Sequence, residues 1–351
     1  MAVKQYEIVA EAGARNPKLG NTCHRDWVTG DTPLEGLVRG SRGTELFLSA
    51  HGPPREPGQP VVIFESGIGA CSSSWGPVRR FLDPRIRSYC YDRAGYGRSP
   101  PAPTKSRRRT AETLAGELFD TLASAGVLPP YILVTHSFGA LVARELVEML
   151  GPFDVAGLVP IDANQERAYK LIEEPLKPLV SLAGPRGLAL LDQSGMLAGG
   201  DRYTADELHR LTLDAEREAK ENTSAGETAL LEVSSELLAR KGQFEAMALM
   251  MQPVTVIRGD TKRDYRRVIA ATRRRSDLDA EDRRVLESLH EFVERDFDRR
   301  DKDLQREQLL LSANSRFVQA LASGHAVIAT EPQLVADEVS SIWESCLGGR
   351  L

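Results

Sequence analysis

The sequence predicts an α/β domain built on a mostly parallel sheet of eight strands flanked by helices, with a helical lid inserted above it. Three observations carry this. Short continuous apolar runs, among them PVVIFE at 60–65, YILVTH at 131–136 and PVTVIR at 253–258, have the length and β-branched content of strands buried on both faces. Stretches of helical period separate them, the βαβ pattern that sets strands parallel. Most of the runs also close on a turn bearing Gly, Ser or Asp, and ligands of parallel sheets bind beyond the carboxyl ends of the strands.

Composition narrows the function classes. The chain has 351 residues, 41% hydrophobic and 27% charged, enough for one large domain or two ordinary ones with a substantial core. A formal charge of −5 leaves no basic footprint for nucleic acid, and the runs Arg107–Arg109 and Arg273–Arg275 read as solvated faces. No stretch reaches the roughly 20 apolar residues of a membrane span. The first residues lack the apolar heart of a signal peptide, so a cytoplasmic location is expected. Cys23, Cys71, Cys90 and Cys346 form no C-x-x-C pair, which points to reduced thiols rather than to a zinc site or a disulfide framework.

In chain order, residues 1–35 read as a polar N-terminal extension around one possible strand, Tyr6–Ala10. EGLVRG and TELFLSAHG, separated by a Ser-Arg-Gly turn, make an antiparallel hairpin by alternation. PVVIFE follows, running into Ser66-Gly67-Ile68-Gly69, where glycines would let the backbone approach a ligand. A helix from Pro77, a strand Ile86–Tyr91, a helix Thr110–Gly126 and the strand Tyr131–His136 come next. Helix Ala140–Leu150 leads to strand Ala156–Ile161, closed by Asp162. Residues 165–251 are helical and form the lid; within them ETALLEVSSELLARKGQFEAMALMM is the most periodic part, and its Met and Leu residues line a groove or simply pack. Residues 262–312 are a charged helical excursion in which Glu281–Phe297 can bury only Val285, Leu286, Leu289 and Val293. Strand Ser315–Ala320 then closes on Ser323-Gly324-His325, and a terminal helix runs from Pro332. The core is thus 36–164 with 252–351.

Thr135-His136-Ser137-Phe138-Gly139, between a buried strand and a helix, is close to G-x-S-x-G, the elbow that lifts a serine hydroxyl above a parallel sheet. A serine needs a base before it attacks carbon, and histidine titrates near neutral pH. Of six histidines, His325 alone follows a late strand on a Gly-bearing loop; His136 adjoins the elbow but is expected to point away. Two strand ends offer an acid to orient the imidazole, Asp162 and Asp260, with Asp264 a little further on. The order Ser, Asp, His holds with either. An oxyanion would be held by the amides of Phe138 and Ile68, with Gly67 and Trp75 as substrate-side candidates.

ESGIG at 65–69, YDRAGYGRS at 91–99, PYILVTHSFG at 130–139, GLVPIDANQE at 157–166 and SGHAVIATEPQLV at 323–335 together resemble the α/β-hydrolase superfamily, in particular a single-domain serine hydrolase (esterase-like) branch. The resemblance covers roughly 36–162 and 253–347. It implies a Ser-His-Asp triad and tips the acid to Asp162. Thr135 replaces a usual glycine, Ala140 stands where a second glycine is common, and Ser66 and Asn164 replace histidines. The chemistry implied is hydrolysis of an ester, lactone or thioester of a medium-sized apolar small molecule, with no cofactor or metal. The same constellation also serves carbon–carbon bond cleavage or condensation, or a ligand-binding receptor that retains the triad.

Overall fold

The computed structural model describes residues 25–102, 108–183 and 202–348; the expected strand Tyr6–Ala10 and Cys23 lie outside these. Eight strands form one sheet: β1 Leu34–Arg39, β2 Glu45–His51, β3 Val61–Glu65, β4 Ser88–Asp92, β5 Tyr131–His136, β6 Val155–Ile161, β7 Val254–Arg258 and β8 Ser315–Gln319. They lie in the order β1-β2-β4-β3-β5-β6-β7-β8. The pairs that β2 makes are antiparallel and every pair from β4 to β8 is parallel.

Each inner strand is buried on both sides because its alternate residues serve two cores. In β3, Val61 and Ile63 join Leu133, Leu114, Leu118, Leu141 and Leu146 under helices Ala111–Ser124 and Gly139–Leu150. Val62 and Phe64 join Ile132, Val134, Val339 and Trp343 under helices Gly76–Phe81 and Pro332–Gly348. Burial of one such side chain stabilises the fold by about 1.5–3 kcal/mol, so a continuous apolar run is what a two-faced strand requires. Sequence order reverses direction across the sheet at β3, with β4 on one side and β5 on the other. The crevice at that switch point is where such a sheet holds ligands.

The two excursions are not separate. Ala168, Ile172, Leu176 and Leu179 share a third apolar cluster with Val268, Leu286, Leu289, Val293, Phe297 and Leu304, so the start of one excursion and most of the other make one helical body. The stripe expected on residues 281–297 is the part that packs there. Helices Ala205–Glu221 and Leu231–Ala239 instead lie on the sheet domain: Leu231 and Leu238 enter the first core, and Leu208 packs with Ala326 and Ala329. The periodic run at 227–251 is not one helix. It breaks at Leu230 and after Ala239 passes into turns in which Gly242, Met247 and Met250 take φ of 59°, 44° and 52°. Met247, Met250 and Met251 are exposed, so these methionines do not pack in a core.

Candidate active site

β5 ends in the elbow. Ser137 takes φ 55°, a left-handed backbone that a non-glycine residue holds only under surrounding constraint. The constraint is visible: the Ser137 amide donates to Ile161 O at 3.2 Å, and its carbonyl accepts from Ala140 and Asn164 at 3.1 and 3.0 Å. From Tyr131 to Val147 every residue is buried except Ser137, which is half-buried. The turn therefore presents one hydroxyl. Close approach is supplied by Gly139, where a Cβ would meet Glu65 O at 2.6 Å. Thr135, at the position where a second glycine is usual, is fully buried, and its hydroxyl has no hydrogen-bond partner among the described residues.

Asp162 and His325 come together at the same edge of the sheet. His325 Nδ1–H donates to Asp162 Oδ2 at 2.6 Å, and Asp162 also accepts from the Thr261 hydroxyl at 2.5 Å and the Gly259 amide at 3.0 Å. Burial works against the carboxylate, yet these hydrogen bonds outweigh it and hold Asp162 below the usual range. Like Ser137, Asp162 has a left-handed backbone, φ 41°. The loops after β7 and β8 meet because Gly259 is a glycine: a Cβ there would stand 2.0 Å from Gly324 O. Asp260 is half-buried just ahead of helix Thr261–Arg273, its amide donating to Ser323 O at 2.8 Å. Asp264 serves the loop backbone, accepting the His325 amide at 2.7 Å.

His136 corrects the expectation that it points away. Its Nε2–H donates to His325 O at 2.9 Å and its ring lies 4.6 Å from the His325 ring. Burial, with the nearby His325, depresses its pKa to about 3, so it stays neutral. Burial and three arginines depress His51 to about 3 in the same way. In both cases the unfolded chain binds the extra proton, so stability is lost as pH falls from about 6.5. Burial raises Glu65 and Asp301 to about 7, which has the opposite sign and adds stability as pH falls toward their unfolded values. These pairs offset, so the unfolding free energy should stay level from about pH 6.5 to 4.5. Below that the histidine effect continues and Asp162 and Glu294, whose hydrogen bonds hold their carboxyls low, add to it, so stability should fall. Urea titrations across that range check it; a decline already under way at pH 6 would show the histidines unopposed.

The glycine loop after β3 is held from beneath. Arg93, 3% exposed, donates to Ser66 O and Gly67 O at 2.6 and 2.7 Å, pairs with Glu65 at 2.7 Å, and meets Glu227 of helix Thr223–Ala229 at 2.9 and 3.0 Å. Glu227 also takes Arg109 and the Tyr96 hydroxyl. A buried ion pair broken on one side strands its partner, at about 3–5 kcal/mol. Glu227→Ala should cost that much in chemical denaturation, and a loss below about 1 kcal/mol would show that water replaces the carboxylate. Gly67 lies directly against Ser137, a Cβ there falling 3.1 Å from the Ser137 Cβ. Among the described residues neither the Ile68 nor the Phe138 amide donates a hydrogen bond. Trp75, a substrate-side candidate from the sequence, belongs to the core: it is fully buried, stacks near Phe64 at 4.8 Å and donates to Ser66 Oγ at 2.9 Å.

Two residues were missed. The Ser137 hydroxyl donates to Asn164 Oδ1 at 3.5 Å, and Asn164 Nδ2 donates to Glu173 Oε1 at 3.4 Å. Asn164 carried a signal, since it departs from the expected histidine; Glu173 carried none. A groove of about 330 Å³ between residues 166–171 and 232–239 is lined by none of Ser137, Asp162 and His325.

Comparison with known proteins agrees with this architecture. An AB hydrolase superfamily protein of Gibberella zeae is 37% identical over 306 residues, 85% of this chain and 91% of that one. The probable transporter efuK of Hormonema carpetanum is 31% identical over 92% of this chain, which spans 44% of that protein's length. A solved structure of a thermophilic esterase from Thermogutta terrifontis superposes with a TM-score of 0.55 at 16% identity, covering 89% of this chain and 99% of that one. No helix among the described residues is long and apolar enough to cross a membrane. With the Alpha/beta hydrolase family pattern matching residues 61–338, from β3 into the terminal helix, the chain belongs to that family.

Proposed function

We propose that the protein is a serine hydrolase that cleaves an ester, lactone or thioester bond of a medium-sized, largely apolar molecule through an acyl-enzyme. The observation that supports this most is the Asp162–His325 hydrogen bond at the sheet edge where Ser137 stands on its strained turn. In this reading Asp162 fixes the tautomer with the proton on Nδ1, leaving Nε2 to take the Ser137 proton. Ser137 Oγ attacks the carbonyl, and the unspent Ile68 and Phe138 amides receive the oxyanion. His325 passes the proton to the departing oxygen or sulfur. Water, deprotonated by the same imidazole, then releases the acid. Segment 165–251 acts as the lid that sets substrate class.

A fluorophosphonate probe tests the reading. Stoichiometric labelling mapped to Ser137, together with turnover of at least one member of a panel of activated esters, is the expected result. Labelling without any turnover would favour carbon–carbon chemistry, and no labelling would overturn the nucleophile.

A further inference from the structure

We propose that Glu173 is a specificity-determining residue: its carboxyl receives a hydrogen-bond-donating group, a hydroxyl or an ammonium, that the substrate carries a few bonds from the scissile carbonyl. This rests on the hydrolase reading above and names its substrate class more closely.

Glu173 closes a single π-helical turn, Tyr169–Glu173, on the segment that follows the Asp162 loop. Such turns insert a residue into a helix, re-aim the side chains around it and occur often at functional sites. Tyr169 and Ile172 of the same turn are buried in apolar clusters, whereas Glu173 is half-buried and faces the site. One amide separates it from the nucleophile, through the two contacts of Asn164. It also lies near enough to His325 for the imidazole charge to bear on it.

Its poverty of partners is what marks it. Among the buried carboxylates, Glu65, Glu117, Glu227 and Asp301 each hold an arginine, and Asp92, Asp162 and Asp214, which form no ion pair with Lys or Arg, each accept a hydrogen bond of 2.8 Å or shorter. Among the described residues no Lys or Arg pairs with Glu173, and its one hydrogen bond is the 3.4 Å contact from Asn164. A carboxyl group withdrawn from water with so little compensation costs stability. A substrate donor entering beside Asn164 supplies what is missing. The same group then orients the acyl chain over Ser137. An apolar chain of equal size leaves the carboxyl unpaired and is disfavoured, which is how a buried polar group rejects an analogue lacking its partner.

The test uses the full chain and three matched p-nitrophenyl esters: an alkanoate, its β-hydroxy analogue and its β-ammonium analogue. Wild type should prefer one or both donor-bearing esters in kcat/KM by on the order of 10- to 100-fold. Glu173→Leu should bring that ratio close to one. Glu173→Gln, nearly isosteric and readable if the leucine variant does not fold, should keep a preference for hydroxyl and lose one for ammonium. Which ester wild type prefers identifies the donor. A wild-type ratio near one overturns the proposal, as does a ratio that survives in both variants, including equal losses on all three esters. Fluorophosphonate labelling of Ser137 separates the failures. With labelling intact only the role of Glu173 falls, and without labelling or turnover both readings fall.

Discussion

Ser137→Ala is expected to lower kcat for activated esters by on the order of 10⁴- to 10⁶-fold, the range in which loss of a catalytic serine leaves only binding and oxyanion stabilisation. Stability should barely move. The hydroxyl makes one long hydrogen bond, 3.5 Å to Asn164, worth about 1 kcal/mol at most, and alanine meets the same left-handed backbone as serine. Hydrolysis of p-nitrophenyl esters alongside a denaturation curve checks both halves. Undiminished hydrolysis by a well-folded Ser137→Ala protein would move the nucleophile elsewhere.

The second large effect concerns the acid. Asp162→Asn should cost about 10⁴-fold in kcat, because an amide facing Nδ1 no longer holds the imidazole in the tautomer that leaves Nε2 free to accept. It also disturbs the contacts from Thr261 and Gly259 that fix the carboxylate. Asp260→Asn should stay within about two-fold, as expected of a half-buried surface group whose visible tie is a backbone amide. The reverse order of losses would place the triad acid at 260.

Why sequence separates some of these questions and not others follows from what each depends on. The inner strands were legible because two-faced burial demands continuous apolar runs, and the candidate positions Ser137 and Asp162 because each sits where such a run stops. Which aspartate meets His325 was not legible from the residues themselves: β6 and β7 both lead into an aspartate, and it is Asp162, at φ 41°, whose carboxylate hydrogen-bonds an imidazole 163 positions away. Likewise His136 was misread because its partner, the His325 carbonyl, arrives from 189 positions downstream. Helical period revealed which stripe of residues 281–297 is buried but not that residues 168–179 bury it. Nothing local distinguishes Glu173 from the many solvated acids in the chain.

The Arg93–Glu227 pairing has a consequence for recombining this chain with its relatives. Helix Thr223–Ala229 and the Ser66–Gly67 loop are tied through one guanidinium, so they behave as a single inherited module although 134 positions separate the two ionic partners. A chimera that imports residues 205–239 from a donor without an acid at position 227 leaves Arg93 buried with Glu65 as its remaining carboxylate. The remaining helical body has a different seam: residues 168–183 exchange intact only together with 262–304, whose apolar stripe they cover. Breakpoints that respect these two seams give the route by which substrate range can be altered while the sheet edge keeps its geometry.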